Sequence, residues 1–149
     1  MRILEIEQMF QKEETLTKVL EECKGDFEQI DYYANSVLKS KLANNAEEAK
    51  DALLVLAGCF SNLATILSIA ISEKKNREDK EYNRLRIEIE NAQAKFTSAS
   101  AEKQASVYVA PYRRIRNVIE GYVTGCEKQM SALQSTLKNE KRTYNNTPE

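Results

Sequence analysis

Residues 52–72 read ALLVLAGCFSNLATILSIAIS, 21 positions without a single charge, and the spacing within and around them decides the fold. Ala49, Leu53, Leu56, Phe60, Leu63, Leu67 and Ala70 recur at intervals of four and three, which puts them on one seam of an α-helix. Gly58, Ser61, Thr65, Ser68 and Ser72 recur in the same way on another face. A stripe of small residues lets a second helix approach closely, so this helix is expected to pack on two sides. The seam and the stripe together predict an oligomer interface. An uncharged run of about 20 residues is also long enough to span a bilayer. Its polar groups, Asn62 among them, are segregated rather than scattered, so burial in a bundle or between subunits is the favoured reading and a membrane anchor the lesser one.

Downstream the character changes abruptly. Residues 73–90 hold six cations and six acids. The apolar seam resumes at Tyr82, Leu85, Ile89, Ala92 and Phe96, while the interior positions between fall to Lys75 and Glu78. Either the helix projects beyond its bundle there or a polar hinge breaks it. Unbroken from Ala46 to Phe96 it would be roughly 75 Å long, which implies a hairpin or an extended oligomer. Thr97-Ser98-Ala99-Ser100 is the best loop candidate, being rich in capping residues and without apolar period. A last helix starts between Ala101 and Pro111, near Ala110 or with a kink at Pro111. Its face is Ile115, Ile119, Tyr122, Cys126, Met130, Leu133 and Leu137, out to about Arg142, with residues 143–149 frayed.

Upstream, a first helix is expected from Arg2 to Cys23. Lys24-Gly25-Asp26 reads as a stop and restart, with Asp26 and Gln29 in a capping-box pattern. A shorter helix with Phe27, Ile30, Tyr33, Val37 and Leu38 ends at Asn44-Asn45, where Asn45 and Glu48 repeat that pattern. The whole is an all-α chain of long amphipathic helices, coiled-coil-like and oligomeric. Residues 1–142 form one helical domain, in which an acidic N-terminal segment, residues 1–43, precedes a long-helix hairpin, residues 45–142. Four glycines and two prolines in 149 residues leave few turn-formers for a sheet.

Function is bounded first by what is missing. With no histidine, Ser-His-Asp and Cys-His catalysis are excluded, as is every histidine metal site. Cys23, Cys59 and Cys126 have no C-x-x-C partner and read as buried reduced thiols. The first 14 residues are too often interrupted by charge for a secretory leader, so a cytoplasmic location is expected. The carboxylates sit among lysines at surface-helix spacing. No enzyme, cofactor or metal site is expected.

Charge is unevenly distributed. Residues 1–31 hold four cations against nine acids, and residues 111–149 hold seven against four. The basic and aromatic residues fall into clusters: Lys74, Lys75, Arg77, Lys80, Tyr82, Arg84 and Arg86; then Tyr108, Tyr112, Arg113, Arg114 and Arg116; then Lys138, Lys141, Arg142 and Tyr144. Cations for phosphates and rings for bases are what single-stranded nucleic acid requires. The alternative reading is solvated helix faces with tyrosines at the core margin. The second cluster is the cleaner, with no acid between Glu102 and Glu120.

From Ala46 to Arg142 the layout resembles the UvsY-type recombination mediators of phages. The resemblance is carried by an apolar helix running into Lys74, Lys75, Tyr82, Arg84 and Leu85. A Ser/Thr-rich break and a closing helix with Tyr112-Arg113 and Leu133-Gln134-Ser135 follow. Here Tyr82 precedes Arg84 and Leu85, a departure from that family's Lys-x-Arg-Leu-x-Tyr-Tyr order. The resemblance implies a homo-oligomer that binds single-stranded DNA, with a recombinase or single-strand-binding protein as partner, in the cytoplasm of a phage's host. A structural or adaptor oligomer that binds only protein is the alternative.

Overall fold

The computed structural model describes residues 3–38 and 46–146. Among them there is no strand, and the fold is all-α. The helices are α1 (Ile3–Met9), α2 (Leu16–Leu38), α3 (Ala46–Asn91), α4 (Ser98–Tyr108) and α5 (Ala110–Asn145), with a 3-10 turn at Glu13–Thr15 before α2. The expected stop at Asn44-Asn45 lies outside the described residues.

The single helix expected from Arg2 to Cys23 is broken. α1 ends at Met9, and the chain tightens as the Phe10 amide donates to both Ile6 O and Glu7 O, and the Gln11 amide to Gln8 O. The Thr15 hydroxyl holds the break by donating to Met9 O at 2.6 Å and Lys12 O at 2.9 Å. The expected stop at Gly25 is absent, and α2 passes through it. An added Cβ at Gly25 would meet no atom within 4 Å. The glycine is tolerated there at about 1 kcal/mol relative to alanine.

α3 is unbroken over 46 residues, about 69 Å at ~1.5 Å per residue, so no hinge interrupts it near Lys75. Up to Ala70 its buried positions are Ala49, Ala52, Leu56, Cys59, Leu63, Ile66 and Ala70, a strict alternation of three and four, and Leu85 is buried farther along the helix. Leu53, Phe60 and Leu67, which the sequence placed on the seam, are half-buried flank residues instead. Small Ala52 and Cys59 occupy the interior register, where bulk would hold a neighbouring helix away. α3 carries a window of mean hydropathy 2.1, long and apolar enough to cross a membrane, of which 28% is buried within the chain.

The loop after α3 falls earlier than Thr97–Ser100. Gln93 is left-handed at φ 54°, its amide donates to Glu90 O, and the Ala94 amide donates to Ile89 O. These are the two bonds of a Schellman motif. Ser98, Ala99 and Ser100 already belong to the first turn of α4. α5 begins at Ala110 with Pro111 in its first turn, where a missing N–H costs nothing. It runs to Asn145, beyond the expected Arg142.

The described residues fall into two compact units. One joins the residues through Glu21 to Ile66–Ile119; the other joins those of Glu22–Thr65 to those of Glu120–Glu149. The first unit buries Phe10, Val19, Ala70, Val109 and Ile119, and the second Cys23, Leu56, Leu63 and Cys126, each at 0% exposure. In the second unit the Cys126 thiol donates to Leu56 O at 3.3 Å and Gln129 Nε2 to Ile30 O at 3.4 Å.

Candidate nucleic-acid interface

The polar stretch of α3 lies in the first unit, and its ion pairs decide which cations remain available. Lys74 Nζ lies 2.6 Å from Glu78 Oε2. Arg84 grips Glu81 through Nε and Nη2, at 3.0 and 2.7 Å, and reaches Glu88 through Nη1. That contact holds the Glu81 carboxyl below its ordinary range. Lys75, Lys80 and Arg86 are exposed, and no carboxylate of the described residues pairs with them. Asp79 and Glu90 share the exposed surface of the same helix, so the free charge there is nearly balanced.

Two candidates of this region are engaged within the unit. Arg77 Nη2 donates to Phe10 O and Gln11 O, each at 2.7 Å, and its guanidinium carbon lies 4.5 Å from the centroid of the Tyr112 ring. Its Nε is buried without a hydrogen-bond partner, 3.9 Å from Glu73 Oε2. Tyr82 is half-buried and meets Phe96 edge-on, centroids 5.9 Å apart at 83°. It borders a cleft with Glu78, Asp79 and Glu102 against a single cation, Lys103. That cleft repels phosphate.

The α4–α5 junction is different. Tyr112 is 4% exposed. Burial, ahead of every other cause, raises its hydroxyl pKa; Arg77 opposes the rise, and Tyr108, Glu13 and Glu73 add to it. Arg113 is half-buried and donates to Ser106 O and Ser106 Oγ, at 2.7 and 2.5 Å. Arg114 is exposed, and half-buried Arg116 has a buried Nε without a partner. None of these three arginines pairs with a carboxylate of the described residues. Tyr108, at 53% exposure, ends α4 beside them in sequence. In the second unit Lys138, Lys141, Arg142 and Tyr144 are all exposed on the last turns of α5.

The expected oligomer residues divide in two. Leu56 and Leu63 are fully buried in the chain's own core. Leu53, Phe60 and Leu67 are half-buried, while Gly58, Ser61 and Ser68 face solvent. Thr65 donates to Ser61 O. Leu54, at 75% exposure, and Val55, at 37%, extend the uncharged outer surface. Among the described residues no group of three or more Cys, Asp or Glu is placed to hold a metal.

Phe10 and Gln11, which fix Arg77 through their carbonyls, carry no functional signal in the sequence, since any residue type offers a carbonyl. Comparison of the chain with protein-family models, with curated proteins and with solved structures gives no match.

Proposed function

We propose that this chain is a non-enzymatic accessory protein that binds single-stranded DNA, its phosphates meeting the arginines of the α4–α5 junction. The observation that carries the reading is Arg113, Arg114 and Arg116 in a stretch without one carboxylate between Glu102 and Glu120, none of them neutralised by an ion pair among the described residues. Unneutralised arginines gain by releasing the counterions of nucleic acid, and exposed Tyr108 offers a ring on which a base can stack. Lys75, Lys80 and Arg86 supply weaker contacts. The resemblance to UvsY-type mediators adds the process, recombination or replication in a phage-infected cell, and self-association as a means of multiplying weak sites. Fluorescence anisotropy with a labelled oligothymidylate tests it. Binding should weaken steeply with salt and exceed duplex binding, and absence of binding at low salt refutes it.

One observation favours a second reading, a helical adaptor that binds protein alone. In the second unit α3 presents Leu54, Val55, Gly58 and Ser61 to solvent without a charge among them. An uncharged helix face of this kind suits a protein partner. Light scattering in the absence of DNA and detergent reports self-association, and the anisotropy result separates the two readings.

A further inference from the structure

Arg77 and Tyr112 are arranged as a nucleic-acid contact would be, yet another segment of the chain holds that contact. The guanidinium lies against the Tyr112 ring at 4.5 Å and turns one nitrogen toward two oxygens, Phe10 O and Gln11 O, each at 2.7 Å. A phosphate offers oxygens to a guanidinium in the same manner, and a tyrosine under an arginine is a surface on which bases stack.

We propose that Arg77 and Tyr112 form a phosphate-and-base site that the N-terminal arm, residues 3–15, occupies in the free protein and gives up when single-stranded nucleic acid binds. This rests on the nucleic-acid reading above and adds a regulated second contact to it.

Three features support displacement rather than a permanent fixture. The two carbonyls are available only because the helix breaks after Met9; in an unbroken helix the amides four residues on would take them. The closed arrangement leaves Arg77 Nε buried and unbonded, 3.9 Å from Glu73 Oε2, a donor that an incoming phosphate can satisfy. The arm is lightly held. α1 has seven residues and one buried side chain, Ile6; Phe10 is the other that is buried in the arm, while Leu4 is 74% exposed. Short segments with few buried contacts open at low cost.

The arm also has the charge of a competitor. Glu5, Glu7, Glu13 and Glu14 stand against Lys12 within residues 3–15, and Glu13 is near enough to add to the rise in the Tyr112 pKa. An acidic segment held on a basic contact raises the threshold for weak anions and yields to a polyanion.

The test uses the full chain and a fluorescein-labelled oligothymidylate at low salt, with circular dichroism to check folding. Phe10→Ala removes the larger buried anchor of the arm. Thr15→Ala removes only the hydroxyl that holds the break, and so serves if the first variant unfolds. Both should bind about tenfold more tightly than the parent, because a larger fraction of molecules is open. Adding Arg77→Ala to either should abolish the gain. Hydrogen exchange across residues 3–15 should accelerate on saturation with oligothymidylate. If the parent binds and the loosened variants bind no more tightly, the occupied site is refuted while the nucleic-acid reading stands. If no protein binds, the parent included, both fall.

Discussion

The rings of Phe27 and Tyr122 stack face to face, centroids 3.9 Å apart and planes 14° from parallel. The Tyr122 hydroxyl completes the contact by donating to Asp31 Oδ2 at 3.0 Å. This one side chain joins α5 to α2 through both its ring and its hydroxyl. Tyr122→Phe keeps the stack and loses the hydrogen bond, so it should cost about 1 kcal/mol. Tyr122→Ala loses both and should cost about 3 kcal/mol. Urea denaturation monitored by circular dichroism measures each, and equal losses would show that the ring contributes nothing.

The buried thiols set the behaviour in alkali. Burial is the largest cause that pushes Cys23 and Cys59 from 9.0 up to about 12; Asp26 and Glu22 add to it at Cys23, and Asp26 and Cys126 at Cys59. In the unfolded chain these thiols ionise near 9, whereas in the folded chain they keep their protons. The unfolded state therefore binds fewer protons between pH 9 and 12, and stability falls as pH rises through that window. Urea midpoints should hold steady up to about pH 8.5 and then decline. Cys23→Ala should make the decline shallower, and an Ellman assay of the native protein at about pH 8, below the ordinary thiol range, should titrate slowly at all three positions.

Gln93 occupies a position that favours glycine. Its φ of 54° costs a side-chain-bearing residue about 1 kcal/mol, and the Schellman bonds to Glu90 and Ile89 require that conformation. Gln93→Gly should stabilise the protein by up to about 1 kcal/mol, less what glycine adds to the entropy of the unfolded chain. Gln93→Val should destabilise it. Thermal melts of the two variants should move in opposite directions.

Ion pairing predicts which cations bind phosphate. Arg114 is free and Lys74 is held by Glu78. Arg114→Ala should lower the slope of log affinity against log salt by about 0.7, the value for one phosphate of a single strand. Lys74→Ala should leave the slope unchanged. Equal effects at the two positions would mean that this pairing does not govern binding.

Much of the fold was legible in the sequence. Scarce glycine and proline point to the class, Pro111 leaves either a start near Ala110 or a kink and the structure has the start, and Ala49, Leu56, Leu63 and Ala70 lie inside as their spacing suggests. The other half of the α3 seam lies one residue earlier than its bulkiest side chains suggest, because Leu53 and Ala52, or Phe60 and Cys59, fit the same spacing and the smaller residue is the buried one. The break after Met9 carries no mark in the sequence, neither glycine nor proline, and Gly25 does not end its helix because an exposed glycine can remain helical. At the candidate site residue type alone singles out Arg77 as a cation and Tyr112 as a ring. The contact between them, and the bonds from Arg77 to two carbonyls, are not legible, for a backbone acceptor 67 or 66 positions away leaves no trace in composition.

Each unit is drawn from two stretches separated by the other's residues, so the chain enters the first unit, leaves for the second, returns and leaves again. Contacts such as Arg77 with Phe10, or Gln129 with Ile30, therefore close loops of 67 and 99 positions. Such long-range closure slows folding relative to a bundle built from neighbouring helices. On the ribosome residues 3–15 have no Tyr112 to meet until synthesis has reached that position. The nascent protein thus carries its acidic arm unattached until then, and no single cut between residues 1 and 149 releases either unit whole.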